Sequence, residues 1–229
     1  MSEASGIGSI SGVLRRGVDA RATTAILLVA FYFAMRLLPD VPPHIPLLVL
    51  ALALERLAGL GREGQPRPSI GLTLSKPRRI VVASIVTILV NLGFIYVYVV
   101  FLKHTGHAYV RNGCVVFPGP GFRVEYAPPL LATIISACVA GLLEELFFRG
   151  YLISRLKLWW GPAVSIGISA VIFGLAHYPQ PTRMLSTVVA GIIFGAAFQF
   201  SKSIVPSTLA HGVGNALAIV ILKHVLLSG

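Results

Sequence analysis

The stretch "GLLEELFFRG", residues 141–150, closes an apolar run that begins at Pro128. Two adjacent carboxylates, Glu144 and Glu145, stand among Leu and Phe, with Arg149 four residues after the second. Charge in such surroundings costs several kcal/mol unless it is paired or neutralised. The run is too long and too apolar for an ordinary soluble helix, so its setting decides the fold class. Composition supplies that setting: 55% of the 229 residues are hydrophobic and 12% charged, with a mean hydropathy of +0.83. A soluble domain carries roughly twice that share of charge. The chain reads as an integral, multi-pass membrane protein.

The net charge of +11 therefore belongs to the flanks of hydrophobic spans, where basic residues set orientation and touch anionic lipid. It does not indicate a nucleic-acid partner. Runs of about 20 mostly apolar residues fall near 22–38, 43–61, 80–103, 128–158, 161–178, 182–200 and 203–225. The second is interrupted by Glu55 and Arg56. The expected fold is an all-α, polytopic transmembrane bundle of about seven or eight helices enclosing an intramembrane polar cavity. It forms one domain over 1–229, with N-terminal spans and loops over 1–127 and a core over 128–225. The polar first 23 residues lack the apolar centre of a cleavable signal. With the N-terminus in the cytoplasm, the inner segments hold the larger share of Lys and Arg, which favours that orientation.

Two loops separate the spans. "REGQPRPSIGLTLSKPRR", residues 62–79, is basic and proline-rich and reads as a cytoplasmic linker. "HTGHAYVRNGCVVFPGPGFRVEYAPP", residues 104–129, is polar and turn-rich and reads as an outer loop or cap. Cys114 in that loop and Cys138 in a span differ in depth, so no disulfide is expected between them. Gly191 and Gly195 of "GIIFG" share one helix face and permit close helix packing.

Four polar groups interrupt the apolar sequence after Pro128: Glu144 and Glu145 with Arg149, then His177, His211 and Asn215. Glu145 and Arg149 have the i,i+4 spacing at which opposite charges meet on a helix. That pairing leaves Glu144, about 100° around the helix, as the carboxylate without a partner. All three could equally form a structural ion cluster. "WWGPAV", residues 159–164, predicts a helix break at Gly161 and Pro162. Glu144 lies sixteen residues before Trp160, and His177 sixteen after Gly161. Two antiparallel helices joined there bring Glu144 and His177 to one depth. His211 and Asn215, again i,i+4, point the same way from the last helix.

Such a set has the parts for peptide-bond hydrolysis. A carboxylate with a histidine can deprotonate water, and a histidine with an asparagine can donate hydrogen bonds to the resulting oxyanion. The three segments also match known motifs in order: "EELFFR" fits EExxxR, "FGLAH" fits FxxxH, and "HGVGN" fits HxxxN. Over residues 128–225 the chain thereby resembles the CPBP family (the Abi or CAAX-protease and bacteriocin-processing family), which includes the type II CAAX prenyl endopeptidases.

The resemblance implies a glutamate-dependent intramembrane protease that needs no cofactor. Glu144 would activate water with His177, His211 and Asn215 would hold the oxyanion, and Glu145 and Arg149 would support the site. Its substrate would be a membrane-associated protein or peptide, either a leader or sorting segment or a prenylated C-terminal tail. The short chain and sparse loops look prokaryotic, with the plasma membrane as its place. Three other readings stay open. Glu144, His177 and His211 could bind zinc as an open catalytic site. The chain could be a non-catalytic immunity or adaptor protein, or a transporter relaying protons through Glu144 and the histidines.

Overall fold

The computed structural model describes residues 70–111, 114–116, 123–124, 130–178 and 180–227. The spans expected at 22–38 and 43–61, with Glu55 and Arg56, lie outside the described residues.

The first described helix, α1 (Pro77–His104), opens on a proline whose missing N–H costs nothing in a first turn. It closes on Lys103, a cation that complements the C-terminal end of the helix dipole, and His104. Its faces are inverted relative to a soluble helix. Val81, Val82, Ile85, Val86 and Leu89 point outward, while Ala83, Ser84, Thr87 and Asn91 are buried. Lipid is as apolar as Leu, so the inner face selects small and hydrogen-bonding residues that let backbones approach.

The loop expected as an outer cap carries a three-stranded antiparallel ribbon of β1 (Tyr109–Arg111), β2 (Cys114–Val116) and β3 (Arg123–Val124). Its register sets Arg111 opposite Cys114.

The core follows. Helix α2 (Leu130–Glu145) passes into a π-helical segment, Leu146–Ile153, and then into α3 (Ser154–Leu175). The break expected at Gly161 is present: its backbone lies at φ 71°, ψ 177°, a conformation open essentially to glycine alone. Pro162 then begins the returning stretch. Helix α4 (Pro181–Ser201) and α5 (Val205–Leu227) complete the described bundle. Helices α1, α4 and α5 are long and apolar enough to cross a membrane, and the returning part of α3, Trp160–Leu175, is a shorter apolar helix. Apart from the ribbon, residues 70–76 and the turns between elements, the described residues are helical.

Helix α5 lies between α1 and α2, and α3 packs on α4. Asn91 Nδ2 of α1 donates to the Ala210 carbonyl at 3.2 Å, and Lys103 Nζ to the Val225 carbonyl at 2.8 Å. These two bonds fix α5 lengthwise beside α1 on either side of the site helix's middle. On the other flank, a Cβ added at Gly191 would lie 2.8 Å from Ala170 Cα. The backbones of α3 and α4 approach that closely only because Gly191 has no side chain.

Candidate intramembrane acid–histidine site

The site is built on the Gly161 hairpin and closed by α4 and α5. Across the hairpin the Phe148 and Phe173 rings lie 4.8 Å apart, and the Ser169 hydroxyl donates to the Phe148 carbonyl at 3.1 Å. The second contact has a local cause. A π-helical turn displaces the regular i→i+4 hydrogen bonding, and Ser169 supplies a donor to a carbonyl inside that segment. Glu144 lies four residues before Phe148, and His177 four residues after Phe173.

Glu145, the last residue before the π segment, and Arg149, within it, are both fully buried. Arg149 Nη1 donates to Glu145 Oε1 at 2.8 Å, and Nη2 reaches the Gly191 carbonyl at 3.4 Å. The guanidinium carbon lies 4.6 Å from the Phe173 ring centre, 5.2 Å from Phe194 and 5.8 Å from Phe148. Three aromatic faces around one cation offset part of the cost of removing it from water. Phe173, the first residue of the FxxxH motif, is thereby a wall of the arginine cage. Sequence reasoning missed Phe194. Its signal was the spacing of Gly191, Phe194, Gly195 and Phe198, which marks the buried face of α4.

His211 joins the pair to the second glutamate. Its Nδ1 lies 3.0 Å from Glu145 Oε1, and its Nε2 lies 3.7 Å from Glu144 Oε2. A carboxylate only accepts, so Nδ1 carries the proton and donates it to Glu145. Phe173 and Phe194 flank this ring too, with centroids 5.8 and 5.4 Å away. His177 Nδ1 lies 3.0 Å from the Phe173 carbonyl, one helical turn back, and its ring meets Phe173 edge to face at 5.2 Å. The carbonyl fixes the Nδ1–H tautomer by the same reasoning, which makes Nε2 the basic nitrogen of the neutral ring.

The structure thus places Glu145, Arg149 and His211 in direct contact, with Glu144 at the edge of the same cluster and His177 tied to it through Phe173. Asn215 stands one turn beyond His211 on α5 and is exposed; among the described residues no hydrogen bond joins it to the cluster. Among the described residues, Glu145 Oε2 and Arg149 Nε are buried without a hydrogen-bond partner. Among the described residues no three His, Cys, Asp or Glu side chains converge in an arrangement that could hold a metal ion.

A helical membrane bundle carrying a buried Glu–Arg–His cluster, with a second glutamate and histidine at its edge, defines the class of the site. Comparison with known protein families gives a match over part of the chain. Residues 126–217 match the family model described as "Type II CAAX prenyl endopeptidase Rce1-like". The matched region runs from just before α2 into α5 and holds all six residues expected at the site. It is a protease family, it is membrane-embedded, and it is the one the three motifs resemble. No curated protein matches the chain.

Proposed function

We propose that the protein is an intramembrane endopeptidase that hydrolyses a peptide bond of a membrane-associated protein or peptide, with Glu144 as the base that activates water. The observation that carries this reading is the position of Glu144. Its neighbour Glu145 is committed to Arg149 and His211. Glu144 faces the second nitrogen of His211 and has a side chain 16% exposed, enough to meet a water.

The chemistry balances within this set. Glu144, with His177 Nε2 beside the same water, takes one proton as the water oxygen bonds to the peptide carbonyl carbon. The carbonyl oxygen becomes an oxyanion, held by His211 and by Asn215 from α5. The proton then passes to the leaving nitrogen, the C–N bond breaks, and a carboxylic acid and an amine result. His211 can donate through Nε2 only as an imidazolium, because Nδ1–H is already given to Glu145. Glu145 and Arg149 act by orienting His211.

No metal is required by this mechanism. As to substrate, the short chain and sparse loops favour a leader or sorting segment, with a prenylated tail as the alternative that the family's description suggests. A prokaryotic plasma membrane, with the N-terminus in the cytoplasm, is the proposed setting.

Trapping tests the reading. Glu144→Gln protein, purified in detergent from its own membrane, is expected to retain peptides that mass spectrometry identifies and that wild type cuts into two fragments. Retained peptides that wild type leaves whole would overturn it.

A further inference from the structure

At the end of the bundle away from His177 lies a group of cations that the reaction does not use. Lys76 and Arg79 stand at the start of α1, Lys157 just before the Gly161 break, and Lys202 in the turn between α4 and α5. Arg79 extends over the Phe200 ring, 5.9 Å from its centre. Lys202 takes a left-handed backbone, φ 59°, at a helix C-terminus where glycine is the unstrained choice. Partial burial, and behind it the nearby Lys157, Lys76 and Arg79, make the Lys202 ammonium easier to deprotonate than an isolated lysine. The only acidic side chains among the described residues are Glu144 and Glu145, both in the site cluster. Among the described residues, therefore, these four cations have no carboxylate to neutralise them.

Beside them runs an extended strap, residues 70–75. It is held to the bundle on alternate residues: the Ile204 N–H donates to the Gly71 carbonyl at 3.0 Å, and the Ser203 hydroxyl to the Thr73 carbonyl at 2.8 Å. The residues between face away. Leu72 is 63% exposed and Leu74 70% exposed. Two outward leucines next to four gathered cations, at the rim of a membrane bundle, have the chemistry of a phospholipid: an anionic headgroup above acyl chain.

We propose that the strap, with Lys76, Arg79, Lys157 and Lys202, forms an interfacial site for an anionic phospholipid. The cations hold its phosphate, and Leu72 and Leu74 seat among its acyl chains. The inference is independent of the hydrolytic reading and of which side of the membrane this end faces.

The test uses the full chain in phosphatidylcholine nanodiscs containing spin-labelled phosphatidylglycerol or, separately, spin-labelled phosphatidylcholine. Electron paramagnetic resonance measures the fraction of each label immobilised on the protein. Wild type is expected to enrich the anionic label about fivefold or more, since each basic residue near a surface contributes about that factor. The combined K76Q, R79Q, K157Q and K202Q variant falls to near parity. Leu72→Ser with Leu74→Ser lowers the enrichment about twofold or more. If the charge variant fails to incorporate, wild type alone decides, because its enrichment must fall as NaCl rises from about 50 to 500 mM. No enrichment by wild type, equal enrichment by the charge or leucine variants, or salt-independent enrichment overturns the site. Inorganic phosphate that releases the label more strongly than NaCl of equal ionic strength also overturns it, in favour of a free-anion site.

Discussion

Glu144 and Glu145 are neighbours in sequence with opposite commitments, and the difference is rotational. One residue is about 100° of helix, which turns Glu145 into the arginine cage and leaves Glu144 at the edge. Sequence spacing alone made this division legible, because i,i+4 pairing of Glu145 with Arg149 uses up one carboxylate. The link from Glu145 to His211 was not legible, since 66 residues separate them and only the packing of α2 against α5 brings them together. The pairing predicts a double-mutant cycle. Arg149→Met, by leaving Glu145 buried and uncompensated, is expected to cost about 3–5 kcal/mol, and Glu145→Leu in the same chain should recover most of it. Thermal unfolding in detergent measures both. A further residue-scale expectation concerns His211: His211→Gln keeps the shape of a donor but cannot become a cation, so cleavage should slow about 100-fold or more. Comparison of kcat rather than KM checks it.

Among the elements, the hairpin and the α3–α4 contact position the site. Gly161 and Pro162 announced the hairpin, because a positive φ followed by a donor-less residue has a local chemical signature. The π segment had none. Its i→i+5 bonding is set by the packing around it, including Ser169 on the Phe148 carbonyl, and nothing in "LFFRGYLI" specifies it locally. The ribbon was not legible, because the polar, turn-rich stretch with its prolines and glycines read as an irregular cap. Gly191 carries the test at this scale. Gly191→Leu places new atoms against the Ala170 backbone and separates the Gly191 carbonyl from Arg149. Overpacking of this kind costs about 1–3 kcal/mol. A lower unfolding midpoint together with reduced cleavage is the expected outcome, and Gly191→Ala should show the smaller effect of the two.

For the whole molecule, hydropathy identified a membrane protein before any residue was assigned a role, and the spans read near 80–103, 182–200 and 203–225 are, among the described residues, the three helices long and apolar enough to cross. Composition could do this because lipid imposes one requirement, apolar length, on every spanning helix. It could not show the inverted faces of α1, since the choice of which small and polar residues turn inward depends on the partner helix. The metal-free reading belongs to this scale, because it concerns what the assembled site requires. Cleavage is expected to persist after prolonged treatment with strong chelators, and zinc should restore nothing further; chelation that stops cleavage, reversed by zinc, would establish the metal enzyme instead.

The most direct measurement is the cleavage rate of Glu144→Gln on a peptide that wild type cuts, with the unfolding midpoint of both proteins taken in the same detergent. The account predicts a loss of about 1,000-fold or more while the midpoint stays within a few degrees. A Glu144→Gln protein that cuts within tenfold of the wild-type rate would contradict it.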